Sequence, residues 1–461
     1  MTDQICISPV DGRELARRPT ESAAAMEAIL ADARRAQLEW ADVPIAERGR
    51  KMLVFLDALL GLNQQIIPEL ALQMGRPVRF GGEMRGVEER VKHCVATAEA
   101  SLAPIVPEPK PGFRRMIKRT PLGLVFVIAP WNYPFLTAVN TIVPALIAGN
   151  AVLLKHAAQT ILVGERFQEA MDKADLPKGL FRNVVLDHEQ AGALIAAGAF
   201  DHINFTGSVA GGRVVEKAAA GTFTSLGLEL GGKDPAYVRA DADLDFAIEN
   251  IVDGAFYNSG QCCCGVERIY VHESLYDRFV AGAVELTSRY VLGNPLDDAT
   301  TLGPMSAARF AETVRSQTRE ALQKGAKAHL DPKAFPADRE GTPYLAPQIL
   351  TGVDHSMRVM VEESFGPVVG IMKVRDDDEA VRLMNDSPYG LTASIWTREV
   401  DVAEALGDRI QTGTVYMNRC DYLDPALAWT GVKDTGRGAS LSEIGFQLLT
   451  RPKSFHLREA G

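Results

Sequence analysis

From Leu122 onward, short apolar runs alternate with helix-length segments, and that alternation limits the folds open to the chain. Leu122 to Ala129 is continuously apolar, as expected of a strand buried on both faces. Then come a helix (Phe135 to Ala148), a strand (Ala151 to Lys155) and a helix (Thr160 to Ala174). The pattern continues through Asn183 to Leu186, Glu189 to Ala197, His202 to Phe205, Val209 to Ala220 and Ser225 to Leu230. Segments of these lengths in this order predict an α/β fold with a parallel, doubly wound sheet. Gly231-Gly232 reads as a hinge into a second α/β unit, about Lys233 to Asp434. Residues 21–103 carry apolar residues at three- and four-residue spacing, notably Ala23 to Trp40 and Ala46 to Leu60, and predict helices. The proline-rich stretch Pro104 to Gly112 leads into Phe113 to Thr120, a candidate protruding strand, and Leu448 to Leu457 is again strand-like.

The 461 residues, 46% of them hydrophobic, are enough for two or three domains with substantial cores. A net charge of −10 argues against a nucleic-acid-binding surface. The longest apolar run, Phe135 to Ala148, is interrupted by Asn140 and Pro144, so no membrane span is expected. Met1-Thr2-Asp3-Gln4 does not open a signal peptide, and six cysteines, three of them adjacent, form no disulfide framework. A cytoplasmic location is therefore expected. No spacing suggests a zinc site, and none is expected.

Cys262-Cys263-Cys264 is the segment richest in chemistry. A thiolate is a strong nucleophile, and the small polar residues Asn258 to Gln261 before the triplet suggest a tightly held connection. Neighbouring cysteines cannot all face one pocket, and most cysteines simply pack as small apolar groups. Ligands of doubly wound sheets sit beyond the carboxyl ends of the strands, where helix N-termini hold phosphate. At such an end Phe205-Thr206-Gly207-Ser208 offers a close-approach glycine and a hydroxyl, although a serine there is also an ordinary helix cap. Lys155 ends a buried strand at the same sheet edge, either facing a ligand or solvated. In Pro130-Trp131-Asn132-Tyr133-Pro134 two prolines stiffen a loop around an amide, which suits an oxyanion donor or a plain turn. Glu229, between Leu228 and Leu230, becomes a general base if burial raises its pKa.

Taken together and in order, these pieces resemble the aldehyde dehydrogenase superfamily. The matching segments are PWNYP (130–134), LLK ending at Lys155, FTGS (205–208), LELGGK (228–233), GQCCC (260–264), EESFGP (362–367) and NDSPYGLTAS (385–394). The resemblance spans essentially the whole chain. It implies a dinucleotide-binding domain from residues 1–103 and 122–231 and a catalytic domain at 232–434. An oligomerisation arm would come from 104–121 and 446–461. In G-Q-x-C the nucleophile falls on Cys263, with Asn132 holding the oxyanion and Glu229 activating the water that hydrolyses a thioester. Retention of that glutamate implies the hydrolytic branch, producing a carboxylic acid, rather than transfer to coenzyme A. Lys155 would contact the adenosine ribose of NAD or NADP, Ser208 the pyrophosphate and Glu363 the nicotinamide ribose, with Phe365 packing nearby. Trp131, Ala129, Gly207 and Leu230 complete the implied cofactor set.

The chain departs from the family pattern in three places. Ala158 stands where many NAD-preferring members carry a glutamate, which predicts tolerance of NADP and leaves room for a preference for it. Thr141 and Ser440 stand at positions that in some members relay protons, which predicts escape through water. The substrate tunnel reads Tyr133, Thr137, Asn140, Tyr257, Leu423 and Trp429. No arginine is expected among them, which weakens a carboxylate-bearing substrate such as succinate semialdehyde, although Arg419 on a loop could supply one. Both arm strands predict a dimer or tetramer, through pairing of 113–120 with the C-terminal strand of a neighbouring subunit. The chain starts late compared with longer members, leaving no room for a targeting extension. The competing readings are a semialdehyde dehydrogenase and a non-catalytic binding protein on the same fold.

Overall fold

The computed structural model of the protein describes residues 2–459. Residue 1 and residues 460–461, at the ends of the expected nucleotide-binding domain and arm, lie outside them. Two parallel sheets dominate. The first runs, in spatial order, through Gly436–Arg437, Ser225–Glu229, His202–Thr206, Leu124–Ala129, Ala151–His156 and Phe181–Asn183. All its pairings are parallel except that of the short Gly436–Arg437 strand. Leu124 to Val127 and Ala151 to Leu154 are fully buried, which explains their unbroken apolar sequence. The helices Pro134–Ala148 and Ile161–Lys173 pack with them in one core, joined by Ile45–Gly61 and Met84–Ser101 from the N-terminal region.

The second sheet runs Lys327–Ala328, Gln348–Thr351, Val368–Val374, Val266–His272, Asp234–Val238, Thr392–Trp396 and Thr414–Met417, antiparallel only at its first strand. It begins three residues after Gly231, where the sequence predicts the hinge. A hairpin of Asp3–Ile7 with Glu14–Pro19, not evident in the sequence, packs on the first unit through Cys6 and Ile161.

One expectation is corrected here. Phe113–Pro121 pairs with Thr450–Arg458 of its own chain, in antiparallel register from Phe113↔Arg458 to Pro121↔Thr450. The two segments satisfy each other's backbone instead of waiting for a neighbour. The side chains of Thr450–Arg458 are largely exposed, whereas those of Phe113–Pro121 are mostly half-buried.

Gly436 allows the return strand to close on the strand that carries Glu229. Its φ is +114°, and a Cβ there would lie 2.1 Å from the Leu228 carbonyl oxygen. Gly12 has φ +77° but no atom within 4 Å of its virtual Cβ. Gly436→Ala is therefore expected to cost about 2 kcal/mol or more, and Gly12→Ala about 1 kcal/mol. Thermal scans of the two variants check this, and equal shifts in Tm would contradict it.

Candidate active site

A cavity of about 1310 Å³ opens where the carboxyl ends of the first sheet face the second unit. This exceeds the roughly 300–1,000 Å³ of a single small-molecule site, and leaves room for two ligands. Its walls include Cys263, Glu229 and Asn132, the expected cofactor residues Lys155, Ser208, Glu363 and Phe365, and the expected substrate residues Tyr133, Thr137, Tyr257 and Trp429. Ala129, Trp131, Gly207 and Leu230 line it as well, as do Asn140 and Leu423. Ala129, Lys155 and Glu229 lie at strand ends of the first sheet and Ser208 caps a helix, while Cys263, Glu363 and Trp429 come from loops, so residues distant in sequence meet here.

The cysteines sit on a strained turn. Asn258, Ser259 and Gly260 adopt left-handed conformations in succession (φ 54°, 57° and 69°). The turn is held on all sides: Ser259 Oγ donates to the Gly303 carbonyl at 2.8 Å, and Gln261 Oε1 accepts from Ser306 N at 2.7 Å. Surroundings that over-determine a strained backbone in this way are typical of functional loops. Cys262 Sγ and Cys264 Sγ are 3.4 Å apart, and Cys264 packs with Leu391 and Trp429. The three thiols titrate as one set. Hydrogen bonds donated first by Cys263 and then by Cys264 pull Cys262 well below the ordinary thiol range. Those same bonds push Cys263 and Cys264 well above it, helped by burial. The cluster thus carries one negative charge easily and a second only at great cost.

Asn132 is buried, with its backbone carbonyl accepting from Arg76 Nη2 at 2.6 Å and from Asn258 Nδ2 at 3.3 Å. Arg76 also pairs with Glu83 at 2.6 Å, both side chains almost wholly buried. Glu83 in turn accepts from the backbone N–H of Phe135 (3.1 Å) and Leu136 (2.9 Å). The loop is pinned through its backbone, which leaves the Asn132 amide for the cavity.

Glu229 ends its strand with one oxygen satisfied, Oε2 accepting from Thr206 Oγ1 at 3.2 Å. Oε1 is buried without a partner, as is the nearby Ser440 hydroxyl. Burial raises its pKa, opposed by the Ser440 and Thr206 hydroxyls and by the charge of Arg90. Ser440 and Thr141 line a separate small cavity of about 70 Å³ beside Asn140.

The cofactor residues fit a dinucleotide. Ser208 caps helix Val209–Ala219, its Oγ accepting from Gly211 N at 3.2 Å, so this helix N-terminus faces the cavity. Lys155 is buried, not solvated, and burial lowers its pKa. Glu363 Oε1 accepts from Gly232 N at 3.0 Å, and burial together with the charge of Glu267 raises its pKa to about 8. The loop bearing it is fixed by a second buried pair, Lys233 Nζ to Glu267 Oε2 at 2.5 Å. Glu267 also accepts from the backbone N–H of Ser364 (2.8 Å) and Phe365 (2.9 Å). Trp131 stacks on Phe310 with ring centres 5.4 Å apart, and meets Phe365 edge-on at 5.6 Å.

Among the cavity residues that sequence reasoning missed are Phe310, His188 and Arg90. His188 shares with Lys155 both this cavity and an adjoining one of about 1100 Å³. Arg90 corrects the expectation that no arginine reaches the substrate side. It projects from helix Met84–Ser101, on the buried stripe that includes Val87 and Val91. An arginine three residues after one core valine and just before another was its visible signal.

The aldehyde dehydrogenase family profile matches residues 2–455. The 4,4'-diapolycopene aldehyde oxidase of a Methylomonas species is 36% identical over 451 residues, covering 95% of this chain and 82% of the relative. The succinate-semialdehyde dehydrogenase [NADP(+)] of Deinococcus radiodurans is 32% identical over 451 residues, covering 97% of this chain and 93% of that protein. The structure of betaine aldehyde dehydrogenase from Staphylococcus aureus in complex with NAD+ superimposes with a TM-score of 0.93 at 26% identity, covering all of this chain and 92% of that one. The chain belongs to the aldehyde dehydrogenase family, whose members oxidise aldehydes with NAD or NADP.

Proposed function

We propose that Cys263, Asn132 and Glu229 oxidise an aldehyde to its carboxylic acid in this cavity. The observation that carries this is the meeting of a pinned amide, a thiol cluster that holds one charge and a buried carboxyl with a free oxygen. Cys263 passes its proton to the Cys262 thiolate to which it donates a hydrogen bond, its sulfur attacks the carbonyl carbon, and the Asn132 amide and the Cys263 backbone N–H donate to the resulting oxyanion. Lys155, Ser208 and Glu363 would hold an NAD or NADP whose nicotinamide would accept the hydride that leaves this carbon. A thioester then links Cys263 to the acyl carbon. Glu229 takes a proton from water, whose oxygen adds to that carbon, and the sulfur leaves as thiolate. The proton on Glu229 escapes through the small cavity at Thr141 and Ser440, which has room for water.

Ala158 and Lys155 line the adjoining cavity with Arg309 and Arg339, and its one acidic residue, Asp11, lies 3.4 Å from Arg13. This excess of positive charge favours NADP. The unpaired cysteines suit a cytoplasmic enzyme, no helix among the described residues is long and apolar enough to cross a membrane, and the outer edge of Thr450–Arg458 suits a dimer or tetramer.

Cys263→Ser is expected to lower kcat by at least about 10³-fold, whereas Cys262→Ser retains measurable turnover. The reverse result would move the nucleophile to Cys262. Glu229→Gln is expected to release about one equivalent of reduced cofactor in a burst and then stall, because acylation survives and hydrolysis does not. A raised pKa means that Glu229 is protonated, and so inactive as a base, at the low end of the range. The pH profile of kcat should therefore rise through an acid limb above the ordinary carboxylate range, and an acid limb within or below that range would contradict this. Titration of both cofactors should show NADP binding at least as tightly as NAD, and a strong preference for NAD would exclude the charge argument.

A further inference from the structure

Arg90 has an environment that its structural duties do not explain. Its Nη1 donates to the Leu136 carbonyl at 2.8 Å and to Asn140 Oδ1 at 2.9 Å, stapling its helix to Pro134–Ala148. Among the described residues, Nε and Nη2 make no hydrogen bond and no carboxylate forms an ion pair with the guanidinium, although the residue is only 9% exposed. Neither nitrogen is sealed off, since Arg90 lines both the catalytic cavity and a narrow side cavity that also borders Asn140.

The acidic groups near enough to act on it are Glu83, Glu229 and Glu89. Each is engaged elsewhere: Glu83 pairs with Arg76, Glu89 accepts the Tyr422 hydroxyl, and Glu229 is bound by Thr206. A buried cation without a counter-ion is costly, and such charges are ordinarily paired. Leu136 and Asn140, to which Arg90 is bonded, line the same cavity as Glu229 and the cysteines, and the charge of Arg90 acts on both Glu229 and the Cys264 thiol. Arg419 lines the cavity too, but it is exposed, its guanidinium 3.9 Å from the Tyr422 ring centre.

We infer that Arg90 is a specificity residue whose missing counter-ion is a carboxylate on the substrate, so that the preferred substrate is a short aldehyde with a carboxylate at its far end. The inference rests on the reading of the site as an aldehyde-oxidising one. Nε and Nη2 present two parallel donors, the arrangement that binds a carboxylate in a bidentate manner. Proximity to the reacting groups limits the chain between the two functional groups to a few carbons.

The test has two parts. Turnover of 4-oxobutanoate and 5-oxopentanoate is compared with that of butanal and pentanal, in wild type, Arg90→Gln and Arg90→Lys. Wild type should favour the carboxylated member of each pair by about 100-fold in kcat/KM, mainly through KM. Arg90→Gln should bring that ratio close to one, and Arg90→Lys should restore part of it. Separately, succinate binding is measured by titration calorimetry, with binding by wild type expected to weaken at least about tenfold in Arg90→Gln. Equal use of both members by wild type, or a ratio unchanged in Arg90→Gln, overturns the inference and leaves aldehyde oxidation standing. If no aldehyde is oxidised, the proposed function fails, and calorimetry alone then decides the carboxylate site: loss of succinate binding in Arg90→Gln supports it, and no binding by wild type overturns it.

Discussion

The buried ion pair between Arg76 and Glu83 holds the reactive loops together. Two charges removed from water are stabilising only when geometry and extra hydrogen bonds offset desolvation, and removing one partner of such a pair typically costs about 3–5 kcal/mol. Here the extra bonds are the useful ones. Arg76 reaches the Asn132 carbonyl and, at 3.4 Å, Asn258 Oδ1, and its guanidinium lies 4.7 Å from the Tyr133 ring centre. Asn258 then bonds both the Asn132 and the Gln261 carbonyls, each at 3.3 Å. One side chain thereby sets the distance between Asn132 and the cysteine loop, two segments from different sheets. Hydrophobic packing could not do this, because it is non-directional and tolerates small displacements that catalysis does not.

The opposite wall follows the same logic. Lys233 and Glu267 belong to the second sheet and its approach, and their pairing directs the Glu267 oxygens at two consecutive backbone N–H groups of the Ser364-Phe365 turn. Phe365 holds a left-handed backbone (φ 48°) and meets Trp131 edge-on. The loop that positions Glu363 is thus fastened from below by charge and from the side by aromatic contact. Strained left-handed backbone is held at Asn258, Ser259 and Phe365, all within fastened loops.

The parallel sheets were legible because burial on both faces leaves a strand no polar positions, so Leu124 to Ala129 and Ala151 to Leu154 announce themselves. Most helix ends in this region came within one or two residues for the complementary reason that caps and glycines punctuate them. Cys263, Glu229 and Asn132 were legible as a set from the resemblance, and the topology explains why they meet. Arg90, His188 and Phe310 were not, since periodicity reports that a residue faces inward and not what stands opposite. The same limit applies to the terminal ribbon. Two edge strands 329 positions apart in sequence at Pro121↔Thr450 look identical whether they pair within one chain or between two.

The placement of Arg90 also ties recognition to the chemistry of the base. Its uncompensated charge favours the ionised form of Glu229, working against the burial that raises that carboxyl's pKa. A general base serves best when its pKa lies near the working pH, so a positive charge beside it weakens it as a base. A substrate carboxylate seated on Arg90 would cancel that charge just when a thioester is about to need hydrolysis. Glu229 would then accept a proton more readily, with its free Oε1 the natural point of entry. An uncharged aldehyde in the same cavity would leave Arg90 bare and the base weaker. On this reading discrimination between substrates extends beyond binding, because the right substrate also completes the electrostatics on which its own release depends.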